Sequence, residues 1–221
     1  MARLLCPAHI SQAAVRNQPV TYTWRGGQDF VKESPKLRGL FQGLSLRARL
    51  ACVAGMAEWV YWRHADATDF DAPLMMIEAA WAANLDIGYV DIPTVYEFEA
   101  RKGPVDGVLR ASKDTVESAL RSFKAESPVT LGTKAGHLYF LARHVVPDQR
   151  AFGQWLTAVT GRLADISPHV AGQLGASVPR EAMDTAAGFD KADAPMLLAE
   201  FRRELTPAAN CYLAAAVEPV G

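Results

Sequence analysis

The sequence predicts an all-α protein, with seven or eight helices around one buried central helix and a short β-hairpin or extended arm at the N-terminus. Three observations carry this. From Ser45 onward, apolar residues recur at three- and four-residue steps. Helix start signals, a small polar or acidic residue with Pro or Glu close behind, recur at ordinary helix spacing. The connections between these segments are short, as in a helical bundle, and no fixed-period repeat points to a solenoid.

Residues 1–44 read as an arm packed on the body, and residues 45–221 as a single helical domain. The arm is rich in Pro and Gly. Val20–Trp24 is a run of β-formers, and Gly26-Gly27 separates it from Asp29–Val31. That pattern fits a hairpin turn, and it fits equally an extended strip laid over helices. Ser45 caps a helix to about His64, and Met56, Trp59 and Trp62 make it apolar nearly all round, the mark of a buried helix. Asp71 and Pro73 start a second helix, Leu74 to about Leu85. Asp114 and Glu117 form a capping box for a helix to about Lys124, either starting there or continuous with the segment from Val105. Thr133 caps a helix to about Val146. Pro147-Asp148 opens the cleanest amphipathic stretch, with Phe152, Trp155, Leu156, Val159, Leu163 and Ile166 on one stripe. Ser177 with Pro179, Asp193 with Pro195, and Thr206 with Pro207 start three shorter helices, the last reaching Leu213.

The chain has 221 residues, half of them hydrophobic, 21% charged, and a net charge of −1. This composition excludes a disordered chain and a globally basic nucleic-acid binder. Three widely spaced cysteines, Cys6, Cys52 and Cys211, give neither a disulfide framework nor a zinc motif. The N-terminal apolar patch is too short for a signal peptide, and Leu50–Trp62 is too short for a membrane span. These features lead to the expectation of a cytoplasmic protein that engages no membrane.

No phosphate-loop, dinucleotide, nucleophile-elbow or zincin motif occurs, so no catalytic residue, metal or cofactor is assigned. His137 and His144 lie two turns apart, about 10 Å of helical rise, and read as separately bonded helix histidines. Asp66, Asp69 and Asp71 cluster without the spacing of a calcium loop, and Asp71 reads as the cap of the next helix. Glu58 is an acid inside the apolar helix. It is either a general acid or base with a raised pKa, or one half of an ion pair with Arg63 or Arg143.

Charge by segment is the most informative feature. Residues 1–50 carry eight bases and two acids, whereas residues 51–100 carry one base and nine acids. Between Arg63 and Arg101 there is no Lys or Arg. Asp66, Asp69, Asp71, Asp86 and Asp91 fall there, followed by Glu97 and Glu99, with Tyr89 and Tyr96 among them. Carboxylates around aromatic anchors suit a surface that receives a basic protein. The competing reading is that they neutralise the basic arm of the same molecule.

The run Leu46–Arg63, with Ile77–Ala83 and Asp86–Tyr89, resembles the central helical segment of uncharacterised bacterial proteins, some of them similar to immunity proteins of polymorphic-toxin systems. The resemblance implies a non-enzymatic protein that binds and neutralises a toxin, with the acidic residues just named as the partner-binding set. A small helical enzyme using Glu58 or a histidine is the alternative. A structural subunit that forms homo-oligomers through an apolar helix face is the third reading.

Overall fold

The computed structural model describes residues 4–92 and 101–215, and among these residues it is all-α. Nine α-helices occur among them: α1 (Ala8–Gln12), α2 (Gly27–Phe30), α3 (Pro35–Gln42), α4 (Leu46–His64), α5 (Ala72–Leu85), α6 (Asp106–Lys124), α7 (Pro128–Val145), α8 (Gln149–Ile166) and α9 (Ala194–Glu204). No strand forms among the described residues; two isolated bridges join Leu44 to Pro168 and Val90 to Leu213.

The central helix is α4, which packs against α5, α6, α7 and α8. Of its 19 residues, 18 are buried. Ser45 caps it as expected, its Oγ accepting from the Ala48 N–H at 3.1 Å. The same hydroxyl lies 2.7 Å from Ser167 Oγ. Because Ser167 donates its own proton to the Ala176 carbonyl, Ser45 is the donor in that pair. Trp59 on α4 packs edge-on against Phe152 and Trp155 of α8, with ring centroids 5.6 and 5.8 Å away. Gly55 permits this approach, since a Cβ there would stand 3.0 Å from both the Trp155 ring and the Met183 methyl. All six stripe residues of α8 are buried, and Asp148 caps that helix through the Ala151 N–H at 2.8 Å.

The arm is a strap with helical turns, not a hairpin. Gly26 turns the chain at φ 75°, but the next residues form α2. The buried Asp29 carboxylate reaches back to the Arg25 backbone N–H at 2.6 Å, the donor that a returning strand would have needed. Ile10, Val15, Phe30 and Phe41 of the arm belong to the same hydrophobic cluster as the body.

One helix start differs from the sequence reading, and two expected caps do not form. α6 begins at Asp106, in line with the reading continuous with the segment from Val105, so Asp114 and Glu117 sit inside it. They serve there as i,i+4 partners of Arg110 and Arg121 rather than as a cap. α7 begins at Pro128, whose missing N–H suits a first turn, and Thr133 instead bonds the Val129 carbonyl one turn back. Asp71 stands at the start of α5, but its side chain makes no capping bond. The segments after Ser177 and Thr206 form only the 3₁₀ turns Arg180–Met183 and Pro207–Ala209.

His64 ends α4 and anchors the arm. Its Nδ1–H donates to the Val60 carbonyl at 2.8 Å, and its Nε2 lies 2.6 Å from the Tyr22 hydroxyl, which also meets the Pro104 carbonyl. Burial pushes the imidazole down to about 4. In the unfolded chain it titrates near about 6.5, so protons bind the unfolded state first as pH falls. The stability of the neutral imidazole is therefore complete above about pH 6.5 and is lost as pH falls toward 4. The expected loss is on the order of 3 kcal/mol. Urea midpoints at pH 7 and pH 4.5 will measure it, and His64→Phe should reduce the pH slope by that amount. An unchanged slope in the variant would show that His64 is not its source.

Candidate functional site

The described exposed carboxylates of the acidic segment fall at the two ends of α5. α5 has 14 residues and is about 20 Å long, and Asp66, Asp69 and Asp71 precede it while Asp86 and Asp91 come after it. All five carboxylates are exposed. Asp66 is engaged by Arg16 and Asn17 of the arm, and these hydrogen bonds hold its carboxyl below the usual range. Asp69 meets Arg101 at 3.1 Å. Asp71, Asp86 and Asp91 form no ion pair among the described residues, although Asp86 accepts from the Gly88 N–H at 2.8 Å. Tyr89 is half-buried, with the Arg202 guanidinium over its ring at 5.4 Å. Tyr96, Glu97 and Glu99 lie outside the described residues. Glu78, from the same stretch, is buried and accepts from Asn210 Nδ2 at 2.8 Å, so it belongs to the core.

The arm neutralises little of this charge. Arg25 and Arg38 pair within the arm itself, with Asp29 and Glu33. Arg16 with Asp66 is the arm-to-segment ion pair among the described residues.

Glu58 is buried, and its partner is Arg180, not Arg63 or Arg143. The Arg180 Nε and Nη2 donate to the two carboxylate oxygens at 2.8 Å each, and Trp81 Nε1 adds a third bond at 2.7 Å. Burial works against the Arg180 charge, but Glu58 outweighs it and holds the guanidinium firmly protonated. Arg63 bonds the Pro19 carbonyl at 2.8 Å, and Arg143 reaches the Tyr139 hydroxyl at 3.3 Å. A bidentate, buried carboxylate of this kind is not available as a free acid or base, which removes the leading residue of the enzyme reading.

Beside this pair lies a second, which the sequence did not signal. His9 Nδ1 sits 3.2 Å from Asp184 Oδ1, and the same carboxylate accepts the Ala8 and His9 backbone N–H groups at 2.9 and 3.2 Å. The His9 ring stacks on Trp155 at 5.5 Å with 9° between planes. Burial depresses its imidazole pKa, and Asp184 only partly opposes this. His9 and Asp184 are 175 residues apart, and no local spacing could have joined them. Both pairs line a cavity of about 240 Å³ between α4, the Arg180–Met183 turn and the start of α9.

His137 and His144 take separate partners: His137 lies edge-on to Phe30, and His144 Nε2 bonds the Thr23 carbonyl at 2.8 Å. Among the described residues no three His, Cys, Asp or Glu side chains are placed to hold a metal ion, and no helix is long and apolar enough to cross a membrane. Cys6, Cys52 and Cys211 are free, and burial pushes the Cys52 thiol up to about 12, so it serves as a small apolar side chain. In comparisons with known proteins, no family model, no curated protein and no solved structure matches this chain.

Proposed function

We propose that this chain is a non-enzymatic binding protein, of the immunity type, that receives a basic protein such as a toxin domain through its acidic surface. One observation carries the reading: Asp86 and Asp91, at the end of a stretch without Lys or Arg, are exposed and form no ion pair among the described residues. Exposed carboxylates outside any ion pair keep their charge free for a cationic partner, which would use their field. The burial of Glu58 against Arg180 supports the non-enzymatic side of the proposal. The division of the charge between the two ends of α5 favours a partner that docks at one end, and the Asp86–Asp91 end is the less neutralised.

The direct test expresses the toxin domain encoded by a neighbouring reading frame, with and without this chain. Protection supports the proposal, and unchanged killing overturns it. Charge reversal then locates the surface. Asp86→Lys with Asp91→Lys should slow association with the basic partner about tenfold or more at low salt, by removing electrostatic steering. Folding stability should fall by no more than about 0.5–2 kcal/mol, the cost of losing the Asp86 cap on the Gly88 N–H, because both side chains are exposed. Association as fast as wild type at low salt would exclude this surface.

A further inference from the structure

A cavity of about 380 Å³ lies between α3 and the first turns of α7, a volume within the range of small-molecule sites. Leu37 and Phe41 of α3, both buried, form one apolar wall. Gly132 and Gly136 of α7, four residues apart and so on one helix face, form another. A Cβ at either glycine would meet nothing within 4 Å, although Gly136 is buried. A close-packed interior would turn a side chain into such a space. The two glycines leave it open.

The second observation is independent of the wall. Arg49 of α4 lines the same cavity and is 4% exposed. Its Nε, Nη1 and Nη2 donate to the Leu44, Pro128 and Gln42 carbonyls at 3.0, 2.7 and 3.2 Å. A guanidinium has five N–H donors, so two are left over. No carboxylate pairs with Arg49 among the described residues, and burial lowers its pKa with no acid to oppose it. Carbonyl dipoles solvate a buried cation but do not cancel its charge. Lys32 also lines the cavity and forms no ion pair among the described residues. The carboxylate on the wall, Glu33, is engaged by Arg38 at 3.1 Å. A cationic ligand would be repelled by Lys32, Arg38 and Arg49. A strongly hydrated polyanion would gain nothing from Leu37, Phe41 and the glycine face. A single carboxylate on a hydrocarbon body uses both the charge and the apolar walls, and its two oxygens suit paired guanidinium N–H groups.

We infer that this cavity binds a small hydrophobic monocarboxylate, with its carboxylate facing Arg49 and its aryl or alkyl body between Phe41 and the glycine face of α7. The site shares no residue with the Asp86–Asp91 end of α5, so it stands whether or not the chain binds a basic protein there.

The experiment titrates the full chain with 3-phenylpropionate, following heat and the amide resonances of Gly132 and Gly136. 3-Phenyl-1-propanol and 3-phenylpropylamine are controls with the same body and a different charge. The carboxylate should bind saturably within the millimolar range and shift both glycine resonances. The two controls should bind at least about tenfold more weakly. Gly136→Leu fills the space from α7 without touching a charge. It should keep or raise the urea midpoint, since glycine is a poor helix former, and weaken binding at least about tenfold. Gly132→Leu does the same one turn earlier, should Gly136→Leu fail to fold. Arg49→Met removes the charge and should weaken binding by about tenfold. If that variant does not fold, the neutral and cationic controls on the unaltered chain make the same test of charge. Alcohol or amine binding as well as the carboxylate, undiminished binding by a folded leucine variant, or no saturation by 3-phenylpropionate would each overturn the assignment.

Discussion

Arg180→Ala is expected to destabilise the fold by about 3–5 kcal/mol, because it strands the Glu58 carboxylate inside the protein. Glu58 is 2% exposed, and α4 carries it into the middle of the core. Its charge is tolerable only because Arg180 meets both oxygens at 2.8 Å and Trp81 adds a third bond. Arg180 also ties down the arm by donating to the Leu5 carbonyl at 2.5 Å. Removing one partner leaves a buried charge without compensation, whereas removing both charges leaves none. The double variant Glu58→Gln with Arg180→Met keeps an acceptor for Trp81 and should therefore be more stable than Arg180→Ala alone. Urea unfolding of the two variants decides the matter. A loss below about 1 kcal/mol for Arg180→Ala would mean that water reaches Glu58 and that the pair is weak.

Gly175→Ala should cost about 1.5–4 kcal/mol, for two reasons that add. The residue has φ 88°, where an L side chain costs about 1–2 kcal/mol. Its Cβ would also lie 2.2 Å from Ser45 Oγ and 2.6 Å from Ser167 Oγ, inside the linked hydroxyls that cap α4. Displacing that cap adds about 0.5–2 kcal/mol. The loop carrying Gly175 also holds α4 through Leu174 and Gly175 carbonyls, which accept from the Arg47 N–H and guanidinium at 3.0 and 3.2 Å. For a chain of this size the melting temperature should fall by about 3–16 °C. Gly172→Ala is the control: φ is +74°, but nothing lies within 4 Å of its Cβ, so only the backbone cost of about 1–2 kcal/mol applies. Equal losses in the two variants would show that the contact with Ser45 is not the reason Gly175 is necessary.

Much of the helical order is local, and it was legible for that reason. Ser45 and Asp148 cap the helices they precede, and the α8 stripe faces the core residue for residue. The expected caps inside α6 and α7 fail for a shared reason. Asp114 with Glu117, and Thr133, have the chemistry of caps, but the preceding residues were already helical, so the same side chains found partners one turn away. The hairpin reading failed because a glycine pair permits a turn without selecting a strand or a helix after it; Asp29 selected a helical turn by taking the Arg25 N–H. α9 carries the apolar residues expected of it, but none of its residues is buried, and Met196 is 54% exposed.

The sequence by itself determined that this protein is all-α, that α4 runs through its centre, and that its thiols form no disulfide framework. Each of these rests on residues within a turn or two of one another, or on simple counts. Only the tertiary structure decided where the charges go. Glu58 found Arg180 across 122 residues, His9 found Asp184 across 175, and the acidic segment was divided by the length of α5. Ion pairs and cavities depend on distance in space, and a helical bundle sets that distance by how its helices pack. No spacing along the chain records it.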